Sequence, residues 1–244
     1  MKLCILFVAV FFSLARCSNE LTFENRSFEK KTTLPCKGKC PQITVKIPFA
    51  KNVPIVADSI NKKVFLTIKE IVYLDKKPTT YTALLESFIG SYEKLQKHFP
   101  KDTFGWEGQI EGSIIYLSNE VLNIKIKYHT YTGGAHGNQG LRSLLFDPTS
   151  GKTIPNKKLF IDNEVFKAFA EKQFRIKYKI HANDPINSTG LQFEDEQFVL
   201  PLNIFFTDKG LLLYYNRYEV ASYADGPKEL LLPYGEIEDY LAIR

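Results

Sequence analysis

The sequence is poor in the residues from which most catalytic and metal sites are built. Four histidines, His98, His129, His136 and His181, are spread over 244 residues, and none stands at His-x-x-x-His or His-x-x-Glu-His spacing. No Gly-x-Ser-x-Gly nucleophile elbow occurs, and the Walker and Rossmann glycine patterns that cradle phosphates are absent. No cysteine is placed as a nucleophile beside a histidine. Cys36 and Cys40 are followed by no histidine or second cysteine pair at zinc spacing. These absences argue against the common hydrolase, nucleotide-binding and zinc classes, so no metal and no cofactor is expected. Long apolar runs are missing too. After Leu3 to Ala15 nothing approaches the roughly 20 residues that cross a bilayer. There is no internal repeat and no low-complexity tract, and no concentrated basic stripe of the kind that binds nucleic acid.

What is present begins with an export signal. Lys2 supplies a short positive region, and Leu3 to Ala15, apolar apart from Ser13, has the length of a signal-peptide core. Two processing routes fit. Ser13 and Ala15 suit ordinary cleavage after Ala15. Leu14-Ala15-Arg16-Cys17 is similar to a lipoprotein box, with Arg16 where a small residue is usual. Cys4 lies inside the signal, which leaves Cys17, Cys36 and Cys40. In an oxidising compartment Cys36 and Cys40 can pair across Lys37-Gly38-Lys39. Cys17 is then the odd cysteine of an exported chain, and lipidation accounts for it. The expected processing is therefore removal of residues 1–16 and a lipid anchor on Cys17. Loss of Lys2 and Arg16 lowers the net charge from +5 to +3, a mildly basic balance that fits anionic partners such as cell-wall glycans or lipid headgroups only weakly and reads first as a solvated surface with scattered lysines.

Residues 17–40 are polar and charged and read as a tether that buries too little to fold alone. Ile43, Val45 and Ile47 alternate as in a half-buried strand, with Pro48 and Pro54 bounding a turn. Val56, Ile60, Val64, Ile68 and Ile71 recur at helical spacing. Thr79 or Thr80 caps a second helix, which carries Leu84, Leu85, Phe88, Ile89 and Tyr92 and ends near His98. Trp106 to Leu117 and Val121 to Tyr131 read as a hairpin, and Leu141 to Phe146 as a third strand closed by the Asp147 to Gly151 turn. Asp162 caps a third helix. Residues 181–195 form a loop. Phe198 to Phe206 and Leu211 to Tyr215 are strands around a Thr207 to Gly210 turn, followed by a strand at Lys228 to Leu232 and a short helix at Glu236 to Tyr240. Helices stand in blocks apart from hairpins. The expected fold is α+β, with antiparallel sheets, helices packed on one face, and two small subdomains over 41–150 and 151–244.

Two blocks stand out. Tyr128 to Asn138 follows a strand and places Gly133-Gly134-Ala135-His136 in an aromatic, threonine-rich setting, where paired glycines permit φ > 0 or a close approach. Tyr214 to Gly226 holds Tyr218, Glu219, Val220 and Ala221 after the Asp208-Lys209-Gly210 turn and runs on to Pro233-Tyr234. Together these blocks resemble the paired domains of the RsiV-like family of bacterial extracytoplasmic proteins, with a first domain similar to the N-terminal part of the PdaC deacetylase. The resemblance covers nearly all of residues 41–243. It implies a two-part α+β envelope module, whose better-known members include a lysozyme-binding anti-sigma factor. The family's deacetylase domain and cytoplasmic sigma-binding segment have no counterpart in this sequence, so no catalytic residue is expected. In a bacterial chain the sequons at Asn25 and Asn187 carry no glycan.

The candidate ligand-binding residues are Tyr131, Gly133, Gly134, His136, Tyr218 and Tyr223. Tyrosine offers wide area with a polar tip, suited to sugar stacking. The competing use of Tyr214, Tyr215, Tyr218, Tyr223 and Tyr234 is packing of the sheet, and that of His136 a local hydrogen bond. His129, seven residues before His136, falls on the opposite face of a regular strand. Glu219, beside Arg217, is a candidate ion-pair position. The acidic runs at Glu194-Asp195-Glu196 and at Glu236, Glu238 and Asp239 read as solvated surface. The expected partner is an envelope macromolecule, a lysozyme-like protein, peptidoglycan or another envelope protein, with the membrane engaged through Cys17 and no nucleic acid. The alternative is a glycan-modifying enzyme built on His136 and carboxylates.

Overall fold

The computed structural model describes residues 20–36, 39–72, 78–100 and 105–244. The signal segment and Cys17 lie outside the described residues. The fold is α+β. Five strands form the first sheet in the order β1 (Thr22–Lys31), β2 (Gln42–Lys51), β3 (Glu107–Leu117), β4 (Leu122–Tyr131) and β5 (Asn138–Phe146). Helices α1 (Pro54–Ile71) and α2 (Tyr81–His98) pack on one face of it. A second sheet of β6 (Asn203–Phe206), β7 (Gly210–Tyr215) and β8 (Lys228–Pro233) packs with α3 (Asn163–Lys177), and the short α4 (Tyr234–Ile237) closes the chain.

The local signals act as the sequence implies. Pro54 opens α1 at a position where a missing N–H costs nothing. The Thr80 hydroxyl accepts from Ala83 N at 3.2 Å, and Asp162 accepts from Glu164 N and Val165 N at 2.9 and 3.1 Å. The apolar stripes of α1 and α2 meet Ile43, Val45, Ile47, Ile110, Ile124 and Ile126 of the sheet.

Four expectations need correction. Residues 17–40 are not a tether throughout, because β1 pairs antiparallel with β2 from Thr22↔Lys51 to Lys31↔Gln42. The strand needs little burial of its own, since β2 supplies its hydrogen bonds. Phe28 stacks on Tyr81 at 4.5 Å, while exposed charges suit an outer strand. Pro48 does not bound a turn but lies inside β2, opposite Asn25 and beyond Lys46, where the β2–β3 pairing ends. No ladder bond is lost there. The first sheet is not wholly antiparallel: β2 and β3 run parallel, because the long two-helix connection lets the chain re-enter the sheet in the same sense. Finally, β6 begins at Asn203 rather than Phe198. Pro201 has no N–H, and the Leu202 N–H goes to Glu219 Oε1 at 3.2 Å.

Cys36 and Cys40 are joined as a disulfide with Cα atoms 5.6 Å apart. It closes the connection from β1 to β2, where Thr32 N also bonds Pro41 O at 3.0 Å.

Two apolar cores result. One lies between the first sheet and α1–α2. The other lies between α3 and the second sheet, and takes in Val121 and Leu145 from the far side of the first sheet. Alternation along β4 explains this: even positions face the helices, while odd positions face outward. At one end the outward face is covered by the C-terminal unit, and elsewhere Lys127 is exposed and Lys125 half-buried.

Candidate functional site

The seam between the two units is built from asparagines. β5 has no strand on its outer edge, so its amides and carbonyls need partners. The Asn216 side chain supplies them as a peptide group would, accepting from Leu141 N at 2.8 Å and donating to Leu141 O at 3.1 Å. Asn203 Oδ1 accepts from Ser143 N at 3.0 Å. Fully buried Asn123 donates to Ser143 Oγ and Leu144 O and accepts from Phe206 N at 2.9 Å. Sequence reasoning missed all three. Asn123 carried a signal, since a β-poor polar residue interrupts Val121, Leu122 and Ile124.

This seam fixes the turn after β7. Glu219 accepts from Asn216 N at 2.8 Å and from Leu202 N, and Tyr218 N bonds Ala221 O at 3.1 Å. Glu219 therefore braces backbone; among the described residues it does not pair with Arg217. The tight turn sets Tyr218 at φ +66° and leaves it 64% exposed. A non-glycine residue at positive φ is costly and persists only where its surroundings enforce it.

Three of the six candidate residues converge here. His136, on the β4–β5 loop, stacks on Tyr223 with ring centroids 4.1 Å apart. Tyr218 Oη lies 3.2 Å from His136 Nε2. His136 Nδ1 faces the Gly137 carbonyl at 3.2 Å. A carbonyl only accepts, so Nδ1 is the donor of that contact, and in that tautomer Nε2 is an acceptor facing the Tyr218 hydroxyl. Gln139 Nε2 donates to Tyr223 Oη at 3.0 Å, and the Arg217 guanidinium sits 5.1 Å from the Tyr223 ring. The result is an exposed aromatic patch with one cation and several hydrogen-bonding tips.

The other three candidates do not join this cluster. Tyr131 Oη donates to Gly134 O at 3.0 Å. Gly133 and Gly134 border a cavity of about 250 Å³ shared with Tyr92, Gln96, Phe99 and Trp106. Their φ values are +102° and +94°. The loop folds back so far that a Cβ on Gly137 would stand 2.6 Å from His129 Nε2, so His129 is overlain by the loop rather than pointing away from it.

The remaining tyrosines pack. Tyr215 is fully buried and donates to Val199 O at 2.7 Å, and Tyr234 donates to Thr207 O at 3.0 Å. Burial pushes the Tyr234 hydroxyl up to about 12. Among the described residues no three His, Cys, Asp or Glu side chains gather as a metal site, and no helix is long and apolar enough to cross a membrane.

Comparison with known proteins gives two separate matches along the chain. Residues 34–139 match the family model described as deacetylase PdaC, and residues 157–235 match the model for DUF3298, a protein family of unknown function. A DUF3298 family protein from Pseudomonas aeruginosa is similar in structure, with a TM-score of 0.64 and 19% identity over 92% of this chain and 96% of its own. Another from Bacteroides fragilis has a TM-score of 0.63 and 21% identity over 90% of this chain and 94% of its own. At such identity the likeness shows the fold alone. No curated protein matches the chain significantly.

Proposed function

We propose that this chain, which carries a PdaC-like domain followed by a DUF3298 domain, is an exported envelope protein that binds cell-wall glycan without chemically changing it. The observation that carries this reading is the His136–Tyr218–Tyr223 patch. Aromatic rings with polar tips suit the alternating apolar and hydroxylated faces of a sugar. A strained, solvent-facing Tyr218 is the kind of feature retained for binding rather than for packing. A lipid anchor on Cys17 belongs to the same proposal. It is supported by the apolar segment before Cys17 and by the pairing of Cys36 with Cys40, which leaves Cys17 as the odd thiol. A lysozyme-like partner, commonly basic, would meet a chain of like charge.

The test is a pulldown of the purified protein against peptidoglycan sacculi and lysozyme, with released sugars and acetate assayed alongside. Saturable binding to sacculi without product, weakened about tenfold in Tyr223→Ala by loss of the ring that holds His136 and Arg217 in place, is the expected result. Binding to lysozyme alone would replace glycan with a protein partner. Loss of palmitate labelling in Cys17→Ser checks the anchor. A glycan-modifying enzyme is the second reading, favoured by the hydrogen bond between Tyr218 and His136. It would take over if sugar or acetate were released and His136→Ala abolished that release.

A further inference from the structure

We infer that the glycan is acidic, and that it lies along the outward face of β4 from the seam aromatics to a basic depression on the uncovered part of the first sheet. This rests on the glycan-binding reading above and names its ligand class.

The depression has a volume of about 430 Å³ and is lined by Arg26, Lys46, Glu111, Lys125 and Lys127, with hydroxyls from Ser27 and Ser113. Of its cations, only Arg26 is spent on the protein itself. Arg26 is held by Glu24 at 2.7 Å and over the Phe49 ring. Among the described residues, Lys46, Lys125 and Lys127 make no ion pair and no side-chain hydrogen bond. Three uncompensated lysines thus face one carboxylate across an open surface.

The register sets their arrangement. Lys46 stands opposite Glu111, and Glu111 opposite Lys127. The two lysines are therefore two strand spacings apart, about 10 Å, with a carboxylate between them. A compact polyphosphate would place negative charge against Glu111. A ligand with separated anionic groups and hydroxyls between them meets all three side chains favourably, because Glu111 then accepts from a hydroxyl. Acidic polysaccharide has that chemistry.

The depression and the aromatic patch lie along one strand, with His129 between them. Lys125, Lys127 and His129 occupy alternate positions of β4, so they share its outward face, each about 7 Å from the next. Gln139 is paired opposite His129 and donates to Tyr223 Oη at 3.0 Å. Arg217, stacked on Tyr223, adds a cation at the aromatic end. The C-terminal unit stands beside this path, attached at Asn123 and Ser143. One polymer can meet the exposed edges and polar tips of His136, Tyr218 and Tyr223 with its sugars and the lysines with its acidic groups.

Calorimetric titration of the purified protein with an oligogalacturonate, a neutral chito-oligosaccharide and a poly-glutamate of matched charge tests this. Oligogalacturonate is expected to bind tightest, and to weaken as salt screens the lysines. The triple variant Lys46→Ala, Lys125→Ala, Lys127→Ala should lose about tenfold in its affinity and most of its salt dependence, with neutral-sugar binding unchanged. Lys46 and Lys127 are exposed and Lys125 half-buried, with no partner to lose among the described residues, so the melting temperature should hold, and Lys125→Arg with Lys127→Arg should retain binding. If the neutral sugar binds as tightly and the triple variant alters neither, the acidic inference falls while the aromatic site stands. If Tyr223→Ala alters neither sugar, the seam reading falls. If poly-glutamate binds as well as the uronate and ignores Tyr223→Ala, the face takes an acidic protein instead. No binding of any probe overturns both readings.

Discussion

At position 134 the backbone φ is +94°, and an added Cβ would meet nothing within 4 Å. Glycine is needed there for torsion and not for room. An L side chain in that region costs roughly 1–2 kcal/mol. Gly134→Ala should therefore destabilise the protein by about that amount in urea unfolding, even though it removes no contact. Relaxation of the loop should also loosen the stack of His136 on Tyr223, seen as a change in the Tyr223 environment. A loss below a few tenths of a kcal/mol would mean that the loop adopts another torsion at no cost. The neighbouring Gly137 has the opposite reason, close approach, because a Cβ there would collide with His129. Sequence alone offers both reasons for any glycine. Only the path of the loop decides between them.

Among the elements, β1 is the one whose existence depends most on others. Glu93 of α2 holds its C-terminal end, accepting from Thr32 Oγ1 at 2.7 Å and Thr33 N at 3.2 Å. The Thr32 hydroxyl, and after it the Thr33 amide, hold the Glu93 carboxyl below its ordinary value of 4.5. A carboxylate whose folded value is depressed adds stability that is full above 4.5 and is lost as pH falls through the folded value. Protection of the Thr33 amide from hydrogen exchange should accordingly fall in acid. Glu93→Gln should remove that acid step and cost only about 0.5–1 kcal/mol, because the site is exposed. Unchanged protection across the acid range would show that β1 is held by its ladder alone. The same element shows where pattern reading stops. The helices and their caps were legible, because helical period and cap chemistry are local. β1 was not, because its two useful apolar groups, Phe23 and Phe28, are diluted by charge and its hydrogen bonds come from β2. The same holds at the seam. His136, Tyr218 and Tyr223 stood out by composition, but Gln139 and Arg217 join them through contacts that no spacing announces.

At the scale of the whole molecule, the first sheet serves two cores. Its inward face closes the helical core, and Val121 and Leu145 on its outward face help close the other. Asn123 sits between them with no exposed surface, bonded to Ser143, Leu144 and Phe206. Removing its amide would leave the Phe206 N–H and the Leu144 carbonyl without that partner in a dry interior. Each buried unsatisfied group costs about 1–3 kcal/mol. Asn123→Ala should therefore cost about 2–4 kcal/mol by the same reasoning, and most of that loss should fall on the link between the units. The sequence contains one tryptophan, and it lies in the helical core, where Trp106 packs edge-on against Phe88 at 5.4 Å. Its fluorescence reports that core alone, whereas far-UV circular dichroism reports both. In the unaltered protein the two urea transitions should coincide, since neither core is closed without the shared sheet. In Asn123→Ala they should separate, with the dichroism change beginning at lower urea as the C-terminal unit opens first. Coincident curves with an undiminished midpoint would show that burial at Val121 and Leu145, rather than the amide network, couples the two units.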